Sequence, residues 1–225
     1  MSVSPPKPGE DWHDPVAGLD FIWLDPLGIW ASKYQVTNKQ YRACVADHDS
    51  GAFQGHNLNG DRQPVACVSY EDAMQWCDWL TRQINDRLDG ELKQTLRLPS
   101  DREWTAYAKC GHARVFPWGN EWPPTRGNYA CESAHEVFED WDYVKGYSTG
   151  HVVSCNVQDS GRNEWGLYGV GGNCYEWTFE YEGIATQLRG GSWSTCQKDY
   201  LRIDNAYNRE PRSRLLNFSF RPVIA

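Results

Sequence analysis

Apolar and polar positions come in short, interrupted blocks along the chain, and no single period runs for long. Residues 18–34 carry an apolar run, the turn residues Asp25, Pro26, Leu27 and Gly28, and a second apolar run, which predicts a β-hairpin. Next, Tyr41, Cys44 and Val45 share one helical face, with Thr37 or Asn38 as the cap. Residues 49–63 are rich in Gly and Asn and predict a loop, and 64–69 a short strand. Ser69 then caps a helix over 70–88, with Glu71 and Asp72 in its first turn and Ala73, Trp76, Cys77 and Leu80 as its buried stripe. Ser100 and Glu103 form a capping box for a further helix, which turns Trp104, Tyr107 and Ala108 inward and ends at Gly111.

From 116 to 163 no period is visible, and a loop of that length wraps the surface and carries function. Its acidic, aromatic stretch at 135–147 reads either as a lid or partner surface, or as an insertion that packs its rings inward. A glycine-rich turn and a strand follow over 164–181. The tail, 188–225, opens on a strand entering a tight turn and closes on a buried terminal strand. About twenty-five residues without period, rich in Arg, Asn, Asp, Ser and Tyr, lie between. These elements predict one α+β domain over 18–225, with short helices on a small twisted antiparallel sheet and a flexible lead-in over 1–17.

Composition adjusts this picture in three ways. Twelve Trp and twelve Tyr in 225 residues mean that aromatic rings, more than aliphatic helices, fill the core. A net charge of −8 argues against nucleic acid as partner, because phosphate binding needs a basic face. No apolar run is long enough to span a membrane, and the first residues carry no basic stretch leading into an apolar one, so no secretory signal is expected. The compartment stays open, with virion-borne and cytoplasmic both compatible. The eight cysteines contain no CxxC pair and the six histidines are scattered, so buried free thiols are expected rather than disulfides or zinc.

Eight runs occur in order: KYQVTNKQYRACV, PVACVSYEDAMQWCDWL, RLPSDREWTAYAKCG, FPWGN, GNYA, NEWGLYGVGGNCYEW, RGGSW and FSFR. Over roughly residues 21–223 the chain thereby resembles the formylglycine-generating-enzyme (sulfatase-modifying-factor) family, a variant of the C-type lectin fold. The resemblance implies that an enzyme would hold copper on two cysteines just after the RGGS turn. Here only Cys196 lies in that segment, and no register supplies a second, so no catalytic residue and no cofactor is expected. An oxidoreductase of unusual ligation would have to join Cys196 to Cys174 or a histidine. A branch using iron on three histidines has no counterpart here. The family's calcium site implies oxygen ligands over 168–176. Gly169 stands where Asn or Asp is usual, which leaves Glu176 as a ligand or as a capping or hydrogen-bonding residue.

A third branch is similar in its tail: the targets of diversity-generating retroelements, which have RGGSW, a run of Asn, Ser, Asp and Tyr, and a GFR-like end. Here Ser219 replaces the usual Gly and Arg221 is kept. The resemblance implies a recognition segment at 190–221, framed by fixed strands, for a protein or glycan partner. Tyr and Arg supply contact energy at modest entropy cost, and Ser and Asn supply adaptable hydrogen bonds. The expected contact residues are Ser194, Thr195, Asp199, Tyr200, Asp204, Asn205, Tyr207, Asn208, Arg212, Arg214, Leu215 and Asn217. Leu215 is open between exposed anchor and core. The basic cluster at 209–214 is open between an anion site and intramolecular pairing. Arg202, Arg209 and Arg221 are candidates for structural salt bridges.

Overall fold

The computed structural model describes residues 4–88, 92, 94–179 and 186–225. The elements in chain order begin with β1 (Trp12–His13), β2 (Asp20–Leu24), β3 (Ile29–Ser32) and α1 (Asn38–Tyr41). The small hairpin β4 (Ala52–Phe53) and β5 (His56–Asn57) precedes α2 (Tyr70–Asn85). Then come β6 (Leu96–Arg97), α3 (Asp101–Lys109) and α4 (Glu132–His135). The last strands are β7 (Tyr175–Phe179), β8 (Thr186–Arg189), β9 (Ala206–Asn208), β10 (Phe218–Ser219) and β11 (Val223–Ile224). No helix among the described residues is long and apolar enough to cross a membrane.

Two sheets carry the fold. One has the order β1-β2-β3-β11-β6 and is antiparallel throughout. The other has the order β10-β7-β8-β9, with β10 parallel to β7. The chain's last eight residues belong to both: Phe218 pairs with Tyr175 in the second sheet, and Val223 pairs with Ala31 and Arg97 in the first. The expected single terminal strand is thus two strands, parted where Phe220 and Arg221 turn into the core. The core there is aromatic, with Trp30, Trp76, Trp177 and Phe220 all buried in one cluster. The capping boxes at Thr37, Ser69 and Ser100 all form, each satisfying helix-end donors that would otherwise lack partners. The α2 stripe is buried as expected, with Ile84 added to it.

Within the lead-in, β1 pairs with β2, Trp12 Nε1 donates to the Ser4 carbonyl and Trp30 Nε1 to that of Glu10. Residues 1–3 lie outside the described set, as does the end of the strand expected to reach 181. Several expectations need correction. Val45 is exposed because α1 stops at Tyr41, before its face can be extended. Residues 64–69 run beside Val36 and Leu215 through single backbone bonds and form no strand. Cys110, not Gly111, is the first left-handed residue after α3. The irregular stretch 116–163 does contain a short α-helix, α4, and a 3-10 turn at Val157–Asp159.

Candidate functional site

The RGGSW turn is where the recognition segment leaves the sheet. Gly190 has φ +78°, and a Cβ there would stand 2.7 Å from the Gly171 backbone. A Cβ on Gly191 would collide with the Leu201 side chain. Only bare backbone allows the two glycine-rich runs to approach this closely. Gly191 then donates to the Gly171 carbonyl and Trp193 to that of Asn173. The Trp193 ring is buried, stacked on Trp141 at 5.9 Å and tilted on Phe53 at 5.3 Å. The acidic stretch at 135–147 therefore packs its rings inward, Phe138 and Trp141 included.

Two arginines hold the frame, one at each end of the segment. Arg189 is buried, lies 5.1 Å over the Trp104 ring and 3.1 Å from the Asp101 carboxylate, and donates to the carbonyls of Ile203 and Asn205. It ties the irregular loop to α3. Arg221 is fully buried against Glu176 at 2.8 Å and also donates to the carbonyls of Ser32 and Tyr168. Trp104 Nε1 gives Glu176 a further hydrogen bond at 2.9 Å. Glu176 is accordingly a hydrogen-bonding residue whose oxygens are engaged inside the core. With its carboxylate held by Arg221 and Trp104, and Gly169 supplying no side-chain oxygen, the residues present do not fit a calcium cage.

Between these clamps the segment is more regular than expected. It contains one short 3-10 turn, Lys198–Leu201, and the strand β9 on the edge of β8. The strand escapes a periodicity reading because it is three residues long. An open cleft of about 270 Å³ lies where β9, the turn and the final stretch converge. Ser194, Thr195, Tyr200, Tyr207, Leu215 and Asn217 line it, six of the twelve expected contact residues. Tyr175, Leu188, Gln197, Arg209 and Phe218 line it too and were not expected. Tyr175, Leu188 and Phe218 belong to sheet strands, and only the pairing of β7, β8 and β10 brings them under the segment.

The cleft has two chemically different walls. On one, rings meet edge to face: Tyr200 on Tyr207 at 5.7 Å, Tyr207 on Tyr175 at 5.4 Å and Tyr175 on Phe218 at 6.2 Å. The Arg209 guanidinium lies 5.7 Å over the Tyr207 ring. Burial pushes the Tyr175 and Tyr207 hydroxyls above the ordinary tyrosine value. The other wall is a hydroxyl and amide network. Ser192 Oγ lies 3.0 Å from Ser194 Oγ and 3.1 Å from Thr195 Oγ1, Tyr175 Oη lies 2.9 Å from Thr195 Oγ1, and Asn217 Nδ2 donates to Ser194 Oγ at 3.0 Å. Tyr200 and Leu215 stand at the opening, 48% and 52% exposed, so Leu215 is an exposed residue and not core.

The remaining expected residues lie elsewhere or do other work. Thr195, expected to face solvent, is 3% exposed, because its hydroxyl closes the network under the turn. Asp199 and Asn208 are exposed outside the cleft lining. Asp204 pairs with Arg202 at 2.7 Å, and the Asn205 carbonyl is held by Arg189. Arg212 pairs with Glu71 at 3.1 Å and Arg214 with Asp72 at 2.7 Å, so these two arginines of the basic cluster bind α2 rather than an external anion.

Thiol chemistry does not assemble here. All eight cysteines are free. Cys196 is half-buried and its thiol is pushed up by burial and by Asp142, away from the thiolate that copper requires. Cys174 is buried against Trp193 with its thiol pushed far up by burial. Among the described residues no three His, Cys, Asp or Glu side chains gather as a metal site. The residues present therefore do not fit the copper centre that the family's enzymes imply.

A two-sheet fold closed by a buried Arg–Glu pair, with an aromatic cleft instead of a paired-thiolate centre, defines the class of protein. The chain belongs to the sulfatase-modifying factor enzyme 1-like domain family, whose model matches residues 20–225, and its fold is C-type-lectin-like. It is 33% identical over 167 residues to the "Inactive C-alpha-formylglycine-generating enzyme 2" of Bos taurus, covering 70% of this chain and 49% of that one. It is 30% identical over 142 residues to the formylglycine-generating enzyme of Thermomonospora curvata, covering 63% and 39%. The chain thus spans about half the length of these relatives or less. Among solved structures, Treponema denticola variable protein 1 superposes with a TM-score of 0.64 at 18% identity, over 99% of this chain and 93% of that one.

Proposed function

We propose that this chain is a non-catalytic recognition protein whose C-terminal segment, residues 190–221, contacts a protein or glycan partner and is rewritten by a diversity-generating retroelement. The observation that carries this reading is the cleft: exposed Tyr200 and Leu215 and Arg209 over the Tyr207 ring stand together at a semi-open site, while the stretch just after the RGGS turn holds Cys196 and no second cysteine. Aromatic rings and arginine at a semi-open site are contact chemistry. The frame, by contrast, is fixed by buried Arg189, Trp193 and Arg221, so side chains at the opening can vary without disturbing the fold. The name of the bovine relative, "inactive", and that of the Treponema fold neighbour, "variable protein", point the same way.

The neighbouring DNA tests the diversification directly. The expected finding is a near-copy of the coding sequence for residues 190–221, differing only at adenines, beside a reverse-transcriptase gene. A locus without such a copy removes diversification from the account and leaves recognition to the binding experiment below.

A further inference from the structure

The cleft's own chemistry narrows the partner. We propose, resting on the recognition reading above, that it takes an apolar side chain of a protein partner flanked by a carboxylate. Tyr200, Tyr207 and Leu215 hold the side chain, and Arg209 receives the carboxylate.

The charge argument comes from comparing the arginines of the tail. Arg189, Arg202, Arg212, Arg214 and Arg221 each face a carboxylate of this chain, at distances of 2.7 to 3.1 Å. Arg209 faces none among the described residues, although the chain carries thirty Asp and Glu and a net charge of −8. Among the described residues its side-chain hydrogen bond goes to the neighbouring Asn208 carbonyl, and its guanidinium lies 5.7 Å over the Tyr207 ring. A guanidinium held at a lip with no carboxylate against it among the described residues complements an anion from outside, and its planar fork suits a carboxylate.

The shape argument comes from the walls. A cavity of about 270 Å³ is small for a ligand site and suits one large side chain. Its exposed rim carries apolar surface on Tyr200 and Leu215, both about half in water, beside Gln197 and Arg209. The polar wall offers little to a sugar. The hydroxyls of Ser192, Ser194 and Thr195 and the Asn217 amide are bonded to one another, which leaves the Tyr207 hydroxyl, without a partner among the described residues, and the rim groups of Tyr200 and Gln197 to meet a polar ligand. These features favour a protein over a glycan.

Selection from a random-peptide display library on the full chain, alongside a glycan array that includes uronates, tests this. The expected result is enrichment of peptides with Phe, Tyr, Leu or Ile next to Asp or Glu. Binding of an enriched peptide should weaken about tenfold or more in Arg209→Ala and in Tyr200→Ala. Replacing the peptide's acid by its amide should weaken binding to the wild type and change nothing in Arg209→Ala. Both side chains lie at the surface, and circular dichroism verifies that the variants fold. Enriched peptides without the acidic–apolar pair, or capture of glycans instead, overturn the ligand class. If such ligands still respond to Tyr200→Ala, the recognition surface itself stands. If nothing from either collection responds to either variant, both readings fall.

Discussion

Arg221 shows how one side chain can decide what the rest of the tail is free to do. Its guanidinium and the Glu176 carboxylate sit wholly out of water, each with further hydrogen bonds from the core. Removing one partner leaves a buried charge without compensation, which costs about 3–5 kcal/mol. Arg221→Met is therefore expected to lower the thermal midpoint by about 6–20 °C for a chain of this size. Differential scanning calorimetry checks it, and a change of only a degree or two would contradict the clamp. Arg221 was legible in the sequence as a retained family position and a candidate for ion pairing. Its partner was not, because Glu176 lies 45 residues away and could equally have been a metal ligand. The same holds for Arg189: RGGSW was visible as a turn, but nothing local says that its arginine reaches the carbonyls of Ile203 and Asn205.

Helices and strands were legible where short-range chemistry sets them. Ser69 with Asp72, and Ser100 with Glu103, announce α2 and α3 through capping geometry that spans only four residues. The strand β9 was not legible, since three residues carry no period and pairing with β8 creates it, and neither was the division of the expected terminal strand into β10 on β7 and β11 on β3. The link between the tail and α2 also belongs to this scale. Burial pushes the Asp72 carboxyl up, but hydrogen bonds from Arg214 and Ser69 outweigh it and hold the group below its ordinary value. Glu103 is held down in the same way by Arg97 and Ser100, and Glu164, against the effect of burial, is held at about 2 by Arg126, its backbone and Arg114. A carboxyl whose folded value is depressed adds stability above its unfolded value and loses it as pH falls through the folded one. Stability is accordingly expected to fall from about pH 4.5 down toward pH 2. Chemical denaturation across that range tests this, and flat stability there would contradict the pairing. In Arg214→Ala, the Asp72 carboxyl is expected to titrate at a higher pH by NMR. An unmoved titration would mean that Arg214 does not hold it.

At the scale of the molecule, the chain is a rigid two-sheet frame around one semi-open segment. Much of this was legible, because the eight runs that carry the family resemblance are also the frame: capped helices, glycine turns and buried rings. The cleft was only half legible. Six lining residues are among those expected from the sequence, but Tyr175, Leu188 and Phe218 reach the cleft through strand pairing, and Arg209 read as one more member of a basic cluster. What sets Arg209 apart is the absence of an internal carboxylate among the described residues, which no linear pattern displays. On the recognition reading, the exposed side chains at this opening are contact groups and contribute little to folding. The most direct measurement is the thermal midpoint of the triple variant Tyr200→Ser/Arg209→Ser/Leu215→Ser against that of the wild type. Three surface substitutions of about 0.5 kcal/mol or less each should leave the midpoint within about 5 °C. A fall as large as that of Arg221→Met would contradict the claim, because the same side chains would then be holding the fold.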